Sequence, residues 1–526
     1  MGRVKFVSTR EAAAMIPDGA RIGTCGFMLT GAAEEIWMEV EKRFLATGAP
    51  RNLGLMWASG VGDAGEKRGF NHLCHEGLIG RLIGGHFGLF KKVSPLIVGN
   101  KVEAYNFPQG VLCQMFRAMA AGKPGVLTHV GLGTFVDPEH GGGKLNALAK
   151  DDIVVKMQVD GKDYLFYRVQ PIDIAVIRGT EADEQGNVSL RKEALTLEHV
   201  SVATAARNNG GLVIVQVERI VKNGTIPPKD VRIPGMMVDV VAVVSDVANH
   251  MQTAGTQYNE DFISATGVFH SESRPLPLDE RKIIARRSAM QLNADKFVLN
   301  YGIGYPEAVS AVLVEEGIAD RFTATVEPGV VGGIAQGGLN FGSALSPQAI
   351  IDEPYQFDFY DGGGIDCTFL GMAQCDAEGN LNVSRFGPRV AGCGGFIDIS
   401  QNAKECVFCG TFTADGLEVE VKDGRVNILR EGRVKKFIRR VEQITFNGKF
   451  ESRKNKTITL VTERAVFELR PEGPMLVEIA PGVDLERDIL AQMDFRPHIA
   501  EPLKTMDAAI FAEAPMGLRD RLFSPQ

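Results

Sequence analysis

The chain contains one pattern twice, and this repeat constrains its fold more than any other feature. Ile172-Asp173 precedes the turn Asp183-Glu184-Gln185-Gly186-Asn187, and Ile365-Asp366 precedes Asp376-Ala377-Glu378-Gly379-Asn380. Each matched position of the second copy lies 193 residues after its counterpart. Aspartate and Gly-Asn suit such turns because they tolerate left-handed backbone angles. The repeat predicts one supersecondary design that is used twice along the 526 residues.

The two halves also open in the same way. Each begins with a short apolar strand, passes through a glycine-bearing loop and enters a helix with one apolar face. The strands are Ala20-Arg21-Ile22-Gly23 and Phe297-Val298-Leu299, and the loops are Cys25-Gly26-Phe27 and Gly302-Ile303-Gly304-Tyr305. The helix faces contain Ile36, Trp37, Val40 and Phe44 in the first half, and Val309, Val312 and Leu313 in the second, with Pro306 in its first turn and Gly317 at its end.

Fully apolar segments indicate the class of fold. Leu212-Val213-Ile214-Val215 and Val240-Val241-Ala242-Val243-Val244 are typical of parallel strands that are buried on both faces of a sheet. Strands that alternate with helices belong to the α/β class. We therefore expect two homologous α/β domains, each with a mainly parallel sheet.

A polar, glycine-bearing stretch marks the expected boundary between these domains. It runs from about residue 252 to about residue 278, and a new helix follows with Asp279 near its start. The predicted domains are residues 1–250 and 279–526. Because two halves of one design commonly enclose a cleft, we expect a ligand site between them.

Charge and hydropathy exclude several classes of function. The formal net charge of -8 gives no indication of the basic surface that binds nucleic acid. No apolar run reaches the roughly 18 residues that a membrane-spanning helix needs. The N-terminus, Met1-Gly2-Arg3-Val4-Lys5-Phe6, has no apolar core of a signal peptide. We therefore expect no membrane partner and, by default, a cytoplasmic location.

Three local patterns resemble functional motifs but lack the context that each requires. Cys406-Val407-Phe408-Cys409 lies in a strand-like run, where residues three apart point to opposite faces, so we expect no metal there. Gly60-Val61-Gly62-Asp63-Ala64-Gly65 matches a dinucleotide-binding loop, but the acidic residue required about 20 positions later is missing. Gly141-Gly142-Gly143-Lys144 lacks the spacing of a phosphate-binding loop. No Gly-x-Ser-x-Gly occurs, which argues against a serine hydrolase.

Glu327 stands where a buried strand meets a turn. The β-rich run Phe322-Thr323-Ala324-Thr325-Val326 precedes it, and Pro328-Gly329 follows and forces the chain to turn. Spacing alone favours a solvated turn glutamate. A carboxylate in a glycine-rich loop can also approach a ligand closely and act as a covalent nucleophile.

Six segments, taken in order, decide between these interpretations. Any one of them is a weak signal, but together the whole chain resembles family I coenzyme A transferases, specifically the fused single-chain type that includes propionate and acetate CoA-transferases. The segments are Cys25-Gly26-Phe27-Met28-Leu29-Thr30-Gly31, Tyr105-Asn106-Phe107-Pro108-Gln109-Gly110, Gly302-Ile303-Gly304-Tyr305-Pro306, Val326-Glu327-Pro328-Gly329, Gly362-Gly363-Gly364-Ile365-Asp366 and Gly392-Cys393-Gly394-Gly395-Phe396-Ile397-Asp398. The chain departs from the family pattern at three places: Cys25 replaces the first glycine of the N-terminal signature, Ala32-Ala33-Glu34-Glu35 replaces its usual Ile-Pro-Glu-Asn, so that Glu35 stands for the asparagine, and Pro328 replaces a small residue.

The resemblance implies a reaction and assigns residues to it. The family transfers coenzyme A between a short-chain acyl-CoA and a carboxylic acid of the acetate, propionate or butyrate class, through an acyl-glutamyl anhydride and a glutamyl-CoA thioester. It assigns the nucleophile to Glu327, oxyanion donors to the N–H groups of Gly394 and Gly395, and an amide contact to Gln109. It assigns coenzyme binding to Gly302, Ile303, Gly304, Gly26 and Phe27. It also implies no metal, no permanently bound cofactor, coenzyme A as co-substrate, and a homodimer or homotetramer.

Two other functions stay open on the same scaffold. An acyl-CoA hydrolase would use water in place of the acceptor acid, and a catalytically silent member would only sense acyl-CoA. The complete motif around Glu327 argues against the silent member. If the offset of 193 residues extends back without a gap, Glu327 has Thr134 as its counterpart, and only one half carries the nucleophile.

Overall fold

The first half forms fifteen strands and five α-helices within the described residues. The computed structural model describes residues 4–265, 276–454 and 456–523. The strands are β1 Lys5–Ser8, β2 Arg21–Thr24, β3 Leu53–Trp57, β4 Ile79–Gly84, β5 Glu103–Asn106, β6 Gly125–Thr128, β7 Val154–Val159, β8 Lys162–Arg168, β9 Ile174–Arg178, β10 Glu181–Asp183, β11 Val188–Ser189, β12 Leu212–Val217, β13 Arg219–Val221, β14 Val231–Ile233 and β15 Val240–Val243. The helices are α1 Thr9–Ala14, α2 Glu34–Thr47, α3 Val93–Val98, α4 Gln109–Ala120 and α5 His199–Asn208.

Eight of these strands form one parallel sheet in the order β1-β15-β12-β9-β2-β3-β4-β5. The predicted strands at Leu212 and Val240 are neighbours in its interior, as their apolar sequences require. The predicted helix α2 buries Ile36, Trp37 and Val40 and ends at Gly48, whose φ of 72° closes the last turn. These predictions are confirmed.

The second half repeats this plan with more β-structure. Its strands are β16 Val298–Tyr301, β17 Thr323–Val326, β18 Val330–Val331, β19 Ile334–Ala335, β20 Ala344–Leu345, β21 Ala349–Ile350, β22 Cys367–Gly371, β23 Gln374–Asp376, β24 Leu381–Asn382, β25 Arg385–Phe386, β26 Arg389–Val390, β27 Glu405–Cys409, β28 Thr413–Ala414, β29 Glu418–Lys422, β30 Arg425–Arg430, β31 Val434–Lys435, β32 Phe437–Ile438, β33 Thr457–Val461, β34 Ala465–Arg470, β35 Gly473–Ile479 and β36 His498–Thr505. Its helices are α6 Glu280–Ala289, α7 Glu307–Glu315, α8 Glu353–Asp361, α9 Phe396–Asn402, α10 Gly448–Glu451 and α11 Leu518–Phe523.

A ten-stranded sheet, in the order β21-β18-β17-β16-β22-β27-β33-β34-β35-β36, organises this half. Its central strands, from β17 through β33, are parallel, whereas β18, β21, β34 and β35 join antiparallel at the two sides. The expected α/β fold with two mainly parallel sheets is therefore confirmed. No helix of the described residues combines the length and apolarity needed to cross a bilayer.

The two halves share an apolar core. One cluster of buried side chains includes Phe27 and Val111 from the first half and Phe341 and Phe357 from the second. The predicted boundary, about 252–278, includes residues 266–275, which lie outside the described residues. The division into 1–250 and 279–526 stays a prediction.

Sheet register shows where the repeat keeps its spacing and where it does not. Equivalent places in the two sheets are occupied by Ile174, Leu212, Ile22 and Leu55 in the first and by Cys367, Glu405, Leu299 and Ala324 in the second. The first two pairs keep the offset of 193 residues. The last two pairs are 277 and 269 residues apart, because the first half inserts extra chain between β3 and β9.

The proposed pairing of Glu327 with Thr134 is therefore wrong. Thr134 follows β6, which belongs to a separate antiparallel sheet in the order β6-β8-β7. By strand order and register, Glu327 instead corresponds to Ala58, the residue after β3. The constant offset failed as a guide because insertions accumulate in the connections between strands, not in the strands themselves.

Candidate active site

Glu327 lies directly after β17, at the turn that the sequence predicts. The chain reverses through Pro328 and Gly329 and returns as β18, antiparallel to β17. Gly329 has a φ of 113°, and a Cβ there would lie 2.0 Å from the carbonyl oxygen of Ile351. Only glycine fits this position. The turn is thereby held against the rest of the fold, and it fixes where the Glu327 side chain begins.

The Glu327 carboxylate packs against Gly395. A Cβ at Gly395 would lie 2.5 Å from Oε2 of Glu327 and 3.0 Å from Cζ of Phe357. Protein surrounds the carboxylate on most sides, although part of the residue stays accessible to solvent. Burial, followed by the nearby carboxyl of Glu353, raises the pKa of Glu327 to about 8. The group is therefore more basic than an ordinary glutamate.

Gln109 reaches this place from the first half of the chain. It begins α4, just after β5, and its backbone N–H donates to the carbonyl oxygen of Gly394 at 3.0 Å. Its side-chain Nε2 donates to Oε1 of Glu353 at 2.6 Å. A Cβ at Gly394 would lie 3.6 Å from Oε1 of Gln109. The structure thus brings the four residues assigned to catalysis, Glu327, Gly394, Gly395 and Gln109, into one neighbourhood.

The two glycines differ as hydrogen-bond donors. The N–H of Gly394 already donates to the carbonyl oxygen of Gly85 at 2.8 Å, so it has no free donor to offer an oxyanion. The N–H of Gly395 has no hydrogen-bond acceptor among the described residues. Gly395 is thus the donor candidate, whereas Gly394 positions the turn and accepts from Gln109.

Glu353 is a site residue that sequence reasoning missed. It stands in the first turn of α8, is 0% exposed, and accepts at Oε1 from Ser59 Oγ at 2.9 Å as well as from Gln109. Glu198 and Cys113 lie beside it. In sequence, Asp352-Glu353-Pro354 is typical of a solvated helix start, where acidic residues are common. Nothing local distinguishes it from such a start.

The residues assigned to coenzyme binding form two groups. Gly302, Ile303 and Gly304 follow β16, the parallel neighbour of β17, so both strands end at the same sheet edge. Ile303 is 52% exposed. Phe27 is buried instead, with its ring centroid 5.6 Å from that of Phe341.

Gly26 and Phe27 lie close to the nucleophile turn. Gly342 separates Phe27 from Pro328, since a Cβ at Gly342 would lie 2.7 Å from the Phe27 ring and 3.4 Å from Cγ of Pro328. Gly26 has a φ of 152°, and a Cβ there would lie 3.1 Å from Val61. The first-half loop therefore packs against the turn that carries Glu327, whereas the loop Gly302–Gly304 is exposed at the neighbouring strand end.

Glu35, which departs from the family pattern, is held by four hydrogen bonds. Its carboxylate accepts hydrogen bonds from Thr9 Oγ1 at 2.7 Å, the N–H of Ser245 at 2.8 Å, the N–H of Asp246 at 3.2 Å and Asn249 Nδ2 at 3.0 Å. Although burial opposes ionisation, these hydrogen bonds lower the pKa of Glu35. Glu35 thus secures the chain after β15.

Comparison with known proteins gives a consistent result. The family described as "Coenzyme A transferase" matches residues 6–244. The chain is 43% identical over 520 residues to "Acetate CoA-transferase YdiF" of Escherichia coli (strain K12), which covers 98% of this chain and 97% of that protein. It is 44% identical over 519 residues to "Caffeate CoA-transferase" of Acetobacterium woodii, with 98% of each chain covered. A crystal structure of the acyl-CoA transferase YdiF from E. coli O157:H7, as a thioester complex with CoA, matches with a TM-score of 0.90 and 42% identity over 98% of this chain and 97% of that one.

Proposed function

Because the chain belongs to the coenzyme A transferase family, enzymes that transfer coenzyme A between an acyl-CoA and a carboxylate, we propose that Glu327 carries the coenzyme as a thioester between two half-reactions. The observation that supports this role is the packing of the Glu327 carboxylate against Gly395, in a glycine-rich turn between the two halves of the chain. A relative of 42% identity has been crystallised as a thioester complex with CoA, which agrees with such an intermediate.

The proposed reaction proceeds through two covalent intermediates. The Glu327 carboxylate attacks the acyl-CoA carbonyl, forms an acyl-glutamyl anhydride and expels CoA thiolate. The thiolate then attacks the glutamyl carbonyl, releases the first acid as its carboxylate and leaves a glutamyl-CoA thioester. A second carboxylate repeats these steps in reverse, so that it leaves as a new acyl-CoA and Glu327 is restored. One thioester is present before and after each half-reaction, so no further energy source is required.

Gly395 is the proposed donor to the oxyanions of this sequence. Each attack creates a tetrahedral centre with a negative oxygen, and one oriented donor is typically worth about 3 kcal/mol of transition-state stabilisation. The absence of a side chain at Gly395 leaves room for that oxygen, because a Cβ would lie 2.5 Å from the Glu327 carboxylate. Gln109 contributes a polar amide from the first half of the chain.

Basicity and burial at Glu327 suit a nucleophile. A pKa of about 8 makes the ionised carboxylate more reactive towards a carbonyl than an ordinary carboxylate. The same shift requires loss of a proton before attack. Glu327 is negatively charged as the free carboxylate and uncharged as the thioester. Burial therefore destabilises the free carboxylate but not the thioester intermediate.

Short-chain monocarboxylates are the proposed acyl class. The names of the two relatives refer to acetate and caffeate, acids of very different size, and both relatives share 43–44% identity with this chain. Phe27 and Phe341 fill the space beside the nucleophile turn and leave Gly342 between Phe27 and Pro328. We expect this packing to favour small acyl groups, which acetyl-CoA, propionyl-CoA, butyryl-CoA and caffeoyl-CoA, compared as donors, would test.

Mass spectrometry after incubation with a short acyl-CoA tests the nucleophile. We expect a CoA adduct on the peptide that bears Glu327, and no adduct in Glu327→Gln. Glu378→Gln serves as the matched control, because Glu378 is exposed in the turn after β23. An adduct on another peptide would overturn the assignment.

A second assay separates transfer from hydrolysis. A transferase forms a new acyl-CoA only when an acceptor acid is added, whereas a hydrolase releases CoA without one. We expect acceptor-dependent turnover. The homodimer or homotetramer implied by the resemblance stays a prediction, which light scattering on the purified protein tests.

A further inference from the structure

Three buried acceptor atoms next to the proposed nucleophile have no hydrogen-bond partner in the part of the chain that the structure describes. They are both carboxylate oxygens of Glu198 and Oε2 of Glu353, and Glu198 and Glu353 are 2% and 0% exposed. One ligand atom from each of Glu198, Glu353 and Cys113 lies within 4.8 Å of the others. Two ionised carboxylates at this separation, with no donor between them, would be strongly destabilising. A proton between them removes the repulsion and pairs two of the three atoms.

The neighbours of the two carboxyls differ. Burial raises the pKa of Glu353, but its Oε1 accepts from Gln109 Nε2 at 2.6 Å and from Ser59 Oγ at 2.9 Å, and these two donors favour the anion. Glu198 accepts from no side chain of the described residues. Burial, then the charge of Glu353, raises the pKa of Glu198 well above its usual range. The proton therefore belongs on Glu198, which donates it to Glu353.

We propose that Glu198 and Glu353 share one proton, held on Glu198, and that the resulting Glu353 anion positions Gln109 and Ser59 beside the nucleophile. The inference rests on the proposed role of Glu327 and extends it. Glu353 is a positioning residue in this scheme: it acts through Gln109 and through its charge. Glu198 supplies a donor to Glu353 in a buried place where, among the residues that the structure describes, no cationic side chain is paired with either group.

This anion has a consequence for the covalent cycle. The ionisable groups that face Glu327 are Glu353, Asp398 and the Tyr360 phenol, and burial raises the pKa of both Asp398 and Tyr360. Asp398 is 0% exposed, and burial followed by the charge of Asp361 raises its pKa, which favours the neutral carboxyl. The proposed Glu353 anion disfavours the Glu327 carboxylate relative to the neutral thioester.

We expect the same isosteric change, glutamate to glutamine, to have different effects at the two carboxyls. Glu353→Gln removes the anion, so we expect the pH midpoint for formation of the Glu327 adduct to fall by about one unit. It also replaces the charged acceptor of Gln109 with a neutral amide oxygen, which holds Gln109 less firmly, so the adduct forms more slowly at high pH, where Glu327 is ionised in both proteins. Glu198→Gln keeps a neutral donor towards Glu353, so we expect its midpoint to stay within about 0.3 units of the parent.

The decisive experiment measures the rate of adduct formation by quenched mass spectrometry from pH 6 to pH 10 in both variants and the parent. Equal shifts in the two variants, or an unchanged midpoint in Glu353→Gln, would overturn the proposal. Infrared spectroscopy of the full-length protein gives a second readout, because a protonated carboxyl band should be lost in Glu198→Gln. Because Glu327 and Asp398 also hold protons in this scheme, the readout is the difference spectrum between parent and variant, and a difference spectrum with no protonated carboxyl band would also overturn the proposal.

Two further outcomes are separated by the same samples. A divalent metal retained in equimolar amount after dialysis would overturn the shared proton, because Cys113, Glu198 and Glu353 would then be its ligands. If the parent forms no adduct on Glu327, the proposed nucleophile itself fails. If the parent forms the adduct but the variants do not differ as expected, only the role of the carboxyl pair fails.

Discussion

Replacing Glu327 by glutamine should stabilise the folded protein, and the gain should depend on pH. The carboxyl has a usual pKa of 4.5 and a folded-state pKa of about 8, chiefly because of burial. The folded state then holds a proton that the unfolded chain releases between pH 4.5 and pH 8. Stability contributed by this group is fully present below pH 4.5 and is lost as the pH rises through about 8.

The magnitude follows from the difference between the two pKa values. At 1.36 kcal/mol for each pKa unit, a rise from 4.5 to about 8 corresponds to about 5 kcal/mol. Because part of Glu327 is in contact with water, we expect about half of this, or about 2–3 kcal/mol. Glutamine carries no charge at any pH, so Glu327→Gln should lack this loss. The advantage of the variant should therefore grow by that amount between pH 5 and pH 9.

Thermal unfolding of both proteins across this range measures the effect. For a chain of 526 residues, about 1 kcal/mol corresponds to about 1 °C in Tm, and to about 2 °C if the halves unfold separately. We expect the Tm difference to widen by about 2–6 °C from pH 5 to pH 9. Glu378→Gln, an exposed control, should show a constant difference. A pH-independent difference for Glu327→Gln would refute the argument that its carboxyl is buried and uncharged near neutral pH.

Further predictions concern turnover and stability. In the parent protein, kcat/KM for an acyl-CoA should rise with pH to a midpoint near 8, because Glu327 must lose its proton before it attacks; a flat profile from pH 6 to pH 9 would contradict this. Gly395→Ala should lower kcat/KM by about 100-fold while Gly54→Ala, on strand β3, stays near the parent value, because only the first methyl meets the nucleophile. Gln109→Ala should lower kcat/KM by about 10- to 100-fold with little change in Tm, and a large loss of Tm would show a structural role instead. Glu35→Ala should lower the free energy of unfolding by about 2–4 kcal/mol, because four donors lose their acceptor, but the folded fraction should keep its specific activity.

Local signals along the chain predicted much of the fold. The strand before Glu327, the turn at Pro328-Gly329 and the apolar face of α2 appear where the sequence places them. The α/β class and the parallel pairing of the strands at Leu212 and Val240 are also confirmed. Each of these features depends on neighbours within a few residues, and side-chain periodicity reports such neighbours directly.

These local signals could not predict how residues far apart in the sequence are brought together. The repeat offset failed between β3 and β9, so Thr134 was matched to Glu327 although Ala58 occupies the equivalent place. Glu353 resembles an ordinary helix start in sequence, yet the fold buries it between Ser59 and Gln109, more than 200 residues away. The packing of the two halves also places the N–H of Gly394 against the carbonyl oxygen of Gly85, to which it donates a hydrogen bond.

The amino-acid sequence by itself determined which segments become strands, helices and turns, and it placed a glutamate at the end of one strand. Only the tertiary structure decided that this glutamate meets Gly395, that a buried carboxyl pair stands behind Gln109, and which backbone donor remains free. The physical reason is that backbone preference is local, whereas the burial, charge state and hydrogen bonding of a side chain depend on every element that packs around it.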